Sequence, residues 1–259
     1  MINGIEIAAK IIAELKTRKV PTKALAAILV GEDKASLSFL KQKEKVAKEL
    51  GVRFVLHILP DTLAQGELER QVRAISADQS VGAVIVQIPL PKKYDRIPVL
   101  NAIGIEKDVD VLNGETTKVL PPAVGALKCI LDEVQFDLVG KRAVVVGPGL
   151  LIGRPVANWL MDKVIKLTVL GRARLDEEVI READLVVTGT GVPHLLNDSH
   201  IKSNAVVIDF GYGQLDGKIV GDVDTKAVAI KTKLFTPTPG GTGPIVVAQL
   251  FENFFQICG

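Results

Sequence analysis

One lysine of this sequence falls where an amphipathic helix calls for an apolar side chain. At 3.6 residues per turn, Ser36, Phe39, Leu40, Val46, Ala47 and Leu50 lie within about 60° of Lys43, while Lys34, Lys41, Lys45 and Lys48 fall on the opposite, solvated face. An amine among apolar neighbours is desolvated, which lowers its pKa and suits it to proton transfer or to polarising a substrate. A lysine snorkelling from the rim of the core fits the same stripe equally well. Gln87 ends the run Ala83-Val-Ile-Val-Gln87 and precedes Ile88-Pro89-Leu90-Pro91. A polar group at the carboxyl end of a parallel strand lies where open α/β sheets bind ligands, or simply meets water. Lys107-Asp108-Val109-Asp110 reads as a charged turn or a helix cap. Thr236-Pro-Thr-Pro239-Gly240-Gly241-Thr-Gly-Pro244 is a loop of small residues, which breaks regular structure and also lets a flat ring approach the backbone.

The second chemical signal is Ala143-Val-Val-Val-Gly147-Pro148-Gly149-Leu-Leu-Ile-Gly153-Arg154-Pro155, a strand, a glycine turn and a helix start. Gly147 and Gly149 would let the backbone approach a pyrophosphate whose charge sits on the helix N-terminus. The GxGxxxG spacing is one residue longer than the usual dinucleotide fingerprint, and a glycine turn that binds nothing is its alternative. In NAD-binding folds an acidic residue at the end of the second strand holds the ribose, and an arginine there accommodates the extra phosphate of NADP. The second strand here ends Leu170-Gly171-Arg172-Ala173-Arg174, with no carboxylate before Asp176, which favours NADP. Ordinary solvated charges are the alternative for both arginines. No residue set suggests a metal: Cys129 and Cys258 form no CxxC or Cys/His cluster, and His57, His194 and His200 are scattered.

The elements that must position these groups are short aliphatic strands between amphipathic helices. Strands are expected at Ala24–Val30, Val52–Leu59, Ala83–Gln87, Ala143–Val146, Leu167–Leu170, Leu185–Thr188 and Ala205–Asp209. Most lack polar alternation, as parallel strands covered on both faces do. Helical stripes run through Ile5, Ala8, Ile12 and Leu15, from Ser36 to Leu50, through Leu68, Val72 and Ile75, and from Val156 to Met161. This alternation implies an α/β fold: two α/β domains around a cleft, the second a Rossmann-like parallel sheet. The rhythm breaks between Pro89 and Pro122, so the domains are expected at 1–121 and 122–243. The nearly all-apolar helix at 244–259 is buried against the first domain or in a subunit contact.

With 259 residues, 47% hydrophobic, the chain is long enough for a real core, and Lys+Arg 32 against Asp+Glu 30 leaves no cationic excess for nucleic acid. The N-terminus lacks the apolar core of a signal peptide. The uncharged stretch from Leu234 to Phe251 is broken by three prolines, so no membrane span and a cytoplasmic location are expected.

In this order the motifs resemble the bifunctional methylenetetrahydrofolate dehydrogenase/methenyltetrahydrofolate cyclohydrolase family. The carriers are Gly31 to Gly51 through Ala35-Ser36 and Lys43/Lys45, then Val86-Gln-Ile-Pro-Leu-Pro91 and Lys107-Asp-Val-Asp110. The second half adds Val146-Gly to Ile152-Gly-Arg-Pro155, Val207-Ile-Asp-Phe-Gly211, Val220-Gly-Asp-Val223 and Thr236 to Pro244. The resemblance implies oxidation of 5,10-methylenetetrahydrofolate with NADP, then hydrolysis of the methenyl product to 10-formyltetrahydrofolate, in a homodimer. It implies Lys43 as the catalytic lysine, Gln87 as its hydrogen-bond partner and Asp110 as the carboxylate that reads the pterin. Phe39, Pro239, Gly240 and Gly241 then face substrate, and Gly147, Pro148, Gly149, Gly153, Arg172, Arg174, Thr190 and Tyr212 face the cofactor. The sequence departs from the family's usual tyrosine at Phe39, glycine at Val111, threonine at Pro122, serine at Gly149 and arginine or alanine at Pro148. Phe39 keeps a ring for stacking and lacks a hydroxyl beside the lysine. Two other readings therefore stand beside the bifunctional one: a dehydrogenase with weak or absent cyclohydrolase, and a folate- or nucleotide-binding protein without turnover.

Overall fold

Uninterrupted aliphatic runs become strands here because a strand covered on both faces has no solvent side to keep polar. The structure, a computed structural model, describes residues 1–113 and 118–259. The first sheet is parallel. Its centre is β1 (Ala24–Val30), buried at every position, flanked by β2 (Phe54–Leu59) and β3 (Val81–Val86) in the order β2-β1-β3. The helices of this part of the chain are α1 (Gly4–Leu15), α2 (Lys34–Glu49), α3 (Gln65–Ala77), α4 (Arg96–Asn101) and α5 (Pro122–Glu133).

The second sheet is built from β4 (Arg142–Val146), β5 (Lys166–Leu170), β6 (Leu185–Thr188), β7 (Val206–Asp209) and a short β10 (Leu234–Phe235). All are parallel, in the order β10-β7-β6-β4-β5, with Thr188 opposite Asp209 in the register. Three helices, α6 (Gly153–Leu160), α7 (Glu177–Arg181) and α8 (Thr225–Val228), connect its strands, and α9 (Thr242–Cys258) ends the chain. An antiparallel hairpin of β8 (Gly213–Leu215) and β9 (Lys218–Val220) is absent from the expected elements. Its turn residues Asp216 and Gly217 have φ of 50° and 73°, the left-handed pair that a tight hairpin needs.

The chain divides into two compact units, one of residues 10–122 and 247–259, the other of residues 1–9 and 123–246. In the first unit the apolar face of α9 supplies Val247, Leu250, Phe251 and Phe254 to a core with Leu15, Leu25, Leu40 and Ile85. Burying Phe251 and Phe254 completely contributes roughly 1.5–3 kcal/mol each. Asn253, buried on the same helix, donates to the carbonyls of Val109 (3.0 Å) and Leu120 (2.8 Å). The second unit's core gathers Val144, Val146, Val186 and Val207 with Ile180, Leu196 and Ile201. Residues 1–9 join it through the N–H of Ile2 to Phe235 O (2.8 Å) and of Gly4 to Gly240 O (3.0 Å). No helix among the described residues is long and apolar enough to cross a membrane.

Candidate active site

The first unit carries an amine in a dry setting. Asp33 caps α2 by accepting from the N–H of Ser36 at 2.7 Å, and the helix turns Ser36, Leu40, Lys43 and Ala47 inward. Lys34, Lys41, Lys45 and Lys48 are exposed, whereas Lys43 is 5% exposed. Its Nζ donates to Gln87 Oε1 at 3.3 Å. Gln87 follows β3 directly. Its backbone N–H is tied to Ile28 O at 2.9 Å and its Nε2 to Ile88 O at 2.8 Å, which turns the amide oxygen toward the lysine. The ring of half-buried Phe39 faces Nζ at 5.2 Å from its centroid, one helical turn away. Burial pushes the Lys43 pKa down, and the negative charge of Asp110 opposes that shift. Burial pushes Asp110 up, and Lys43 opposes it in turn. The structure thus brings Lys43, Gln87, Phe39 and Asp110 into one electrostatic environment, able to hold a neutral amine near a carboxylate.

Asp110 owes its place to a residue that sequence reasoning passed over. Asp108 is 1% exposed, and its Oδ2 accepts from the backbone N–H of Leu112 (2.8 Å) and Asn113 (3.0 Å). That bends the chain after Asp110 so tightly that Val111 sits at φ 55°, the left-handed region where a β-branched residue is strained. Burial, reinforced by neighbouring Asp110, pushes the Asp108 carboxyl up to about 6, against the pull of those backbone donors.

The nucleotide-type residues gather in the second unit, at the carboxyl ends of its strands. Gly147 leaves β4 at φ 93° and donates its N–H to Leu170 O (2.8 Å) at the end of β5. A Cβ on Gly147 would stand 2.8 Å from Thr190 Cγ2, and one on Gly153 would stand 1.8 Å from Gly147 O. Both glycines are therefore fixed by close packing of turn, helix and neighbouring loop. Gly149 is different: a Cβ there would meet nothing within 4 Å, and it is exposed beside exposed Pro148 at the uncapped start of α6. The turn is thus uncrowded at Gly149, while the N–H of that residue donates to Gly147 O (2.8 Å) and its carbonyl accepts from Arg154 N–H (3.0 Å). Gly191 and Tyr212 adjoin the same strand ends, with Tyr212 half-exposed. Arg172 and Arg174 are exposed just beyond β5. The first carboxylate after them, Asp176, accepts from Val179 N–H at 3.2 Å as the cap of α7.

Pro239, Gly240 and Gly241 lie in this second unit. A Cβ on Gly241 would press to 2.3 Å from Pro237 O, so that glycine serves the loop's own packing, while Gly240 is at φ 93°. Among the described residues no group of three or more His, Cys, Asp or Glu is arranged to hold a metal.

Comparison with known proteins follows these two clusters. Residues 2–110 match the family described as tetrahydrofolate dehydrogenase/cyclohydrolase, catalytic domain, and residues 121–259 match its NAD(P)-binding domain. The bifunctional protein FolD of Campylobacter curvus is 37% identical over 98% of this chain and 93% of its own length. The crystal structure of the bifunctional FolD methylenetetrahydrofolate dehydrogenase/cyclohydrolase of Campylobacter jejuni superposes with a TM-score of 0.91 at 33% identity, covering 99% of this chain and 97% of that one. The Trypanosoma brucei enzyme, solved with NADP cofactor and an inhibitor, also gives 0.91, at 30% identity over 99% of this chain and 96% of its own.

Proposed function

The chain belongs to the tetrahydrofolate dehydrogenase/cyclohydrolase family, and from that premise we propose that it oxidises 5,10-methylenetetrahydrofolate with NADP and hydrolyses the methenyl product to 10-formyltetrahydrofolate. The observation that carries this reading is the buried lysine held by Gln87 and facing Asp110. NADP supplies the hydride acceptor when bound. The exposed, uncrowded turn at Gly149 and the exposed arginines after β5, before any carboxylate, fit a phosphorylated dinucleotide.

Lys43 acts as the proton acceptor. Burial lowers its pKa and so favours the neutral amine, which takes a proton from water as that water adds to the methenyl carbon. Gln87 fixes the direction of Nζ, since its own amide is oriented by Ile88 O. Asp110 accepts the adjacent N–H donors of the pterin, and the strained turn at Val111 holds it there. Phe39 offers a face for the aminobenzoyl ring and supplies no proton. That last point supports the second reading, a dehydrogenase with weak cyclohydrolase, because the lysine has an aromatic face beside it and no hydroxyl.

In this reading the enzyme works as a cytoplasmic homodimer. Exposed apolar side chains beside the edge strand β5, among them Met161, Ile165 and Val169, support the self-association. A Lys43→Met variant tests the assignment. Methenyl hydrolysis should fall to the spontaneous rate while NADP binding, measured by equilibrium titration, stays within about threefold of the parent. Hydrolysis unchanged in the variant would remove Lys43 from the mechanism.

A further inference from the structure

Two carboxyl groups outside the chemistry lie at the carboxyl end of the second sheet with no exposure at all. Asp209 ends β7 and Asp222 follows β9, and both are 0% exposed. Asp222 Oδ2 accepts from Thr188 Oγ1 at 2.6 Å and from the backbone N–H of Thr190 at 2.6 Å. Its Oδ1 is buried with no hydrogen-bond partner. Asp209 accepts the N–H of Gly211 on Oδ1 (2.6 Å) and of Val223 on Oδ2 (3.0 Å). The backbone has been cleared for both groups. A Cβ on Gly211 would stand 2.2 Å from Asp222 Oδ1, and one on Gly221 would stand 2.0 Å from Asp209 Oδ2.

No cation balances them: neither takes part in an ion pair among the described residues. The surrounding loops bring other ionisable side chains. His194 is exposed and Tyr212 half-exposed, and Asp224 accepts from Lys226 and Ala227 N–H at the start of α8. The two aspartates therefore face chiefly each other. A pair of adjacent buried carboxyls without a cation is far cheaper singly than doubly ionised.

We propose that Asp222, backed by Asp209, is a positioning residue for the cofactor: it clamps the Thr188–Thr190 turn against the glycine turn at Gly147. The clamp is direct, because Thr190 is the residue whose side chain a Cβ on Gly147 would strike. Thr190 Oγ1 in turn accepts from Val192 N–H at 3.1 Å, so the fixed amide passes its orientation along the loop. Burial and the neighbouring Asp222 charge push Asp209 up to about 7, against the pull of its backbone donors, so Asp209 ionises near neutrality. Ionising Asp209 adds a negative charge beneath the loop that Asp222 holds. The inference rests on the reading that this turn lines the dinucleotide site.

The test combines amide hydrogen exchange at Thr190 with NADP titration between pH 6 and pH 8.5, on the protein and its Asp222→Ala and Asp222→Asn variants. In Asp222→Ala the Thr190 amide should lose protection by roughly tenfold or more, and NADP should bind roughly tenfold more weakly. Asp222→Asn keeps one acceptor oxygen and removes the like charge. It should hold Thr190 protection and bind NADP with a flatter pH dependence than the parent, and this arm decides the matter if the alanine variant does not fold. Parent-like protection at Thr190 in Asp222→Ala, or the same pH profile in parent and Asp222→Asn, overturns the proposal. A parent that binds no NADP would instead convict the functional reading, and loss of protection in its Asp222→Ala variant would then leave only the clamp on the Thr188–Thr190 turn standing.

Discussion

At the scale of single residues, activity turns on how burial and charge are balanced at Lys43. Desolvation lowers its pKa from the ordinary 10.5 and Asp110 resists that fall. If the neutral amine is the active form, hydrolysis climbs with pH as the amine loses its proton, along a limb lying below the ordinary lysine range. Asp110→Asn removes the opposing charge, so this limb should move to lower pH, even as weaker pterin binding raises KM. A pH–rate profile of methenyl hydrolysis checks this, and a limb that stays put would show that Asp110 does not act on the lysine. Cofactor choice is equally local. Arg172 is exposed beyond β5 and the nearest following acid is engaged in capping α7. Arg172→Ala should therefore cut the preference for NADP over NAD by about tenfold, an amount equal to about 1.4 kcal/mol. Parallel titrations of both cofactors would show it, and an unchanged ratio would place recognition of the extra phosphate elsewhere.

At the scale of elements, the turn after Asp110 carries a local cost. Val111 sits at φ 55° because Asp108 gathers the N–H groups of Leu112 and Asn113. Val111→Gly should raise stability by about 1 kcal/mol by relieving that conformation, seen as a higher denaturation midpoint. A lower midpoint would mean that the valine side chain contributes more than its backbone costs. Legibility in the sequence follows the range of the interactions. Lys43 was readable because α2 is 16 residues long and its stripe is defined by residues on the same helix. The all-buried β1 and β3 were readable because continuous aliphatic runs leave little else for those segments to be. Asp108 and Asp222 were not, since their partners, backbone N–H groups and the Thr188 hydroxyl, come near only in the folded chain. Gly149 and Gly153 look alike in sequence, yet only Gly153 is demanded by packing. The β8–β9 hairpin had a signal in Asp216-Gly217, but three-residue strands on either side are too short to show a period. β10, with two residues, exists only through its pairing with β7. α5 was hidden in a proline cluster, although Pro122 occupies the helix start that proline favours.

At the scale of the whole molecule, the near-balance of Lys+Arg 32 and Asp+Glu 30 conceals a deliberate placement of charge. One amine is buried beside a strand end in the first unit, two carboxyls are buried at strand ends in the second, and the arginines that fit a phosphate stay exposed. The aliphatic excess is what two covered parallel sheets and an apolar C-terminal helix require. The chain's family, its lysine cluster and its glycine turn together assign two consecutive reactions to one polypeptide. The most direct test is a single incubation of the protein with 5,10-methylenetetrahydrofolate and NADP, following NADPH and the methenyl and 10-formyl products together. The account predicts steady NADPH formation with 10-formyltetrahydrofolate appearing faster than spontaneous hydrolysis allows. Absence of NADPH would contradict the dehydrogenase assignment, and methenyl product that accumulates and opens only at the spontaneous rate would contradict the cyclohydrolase half.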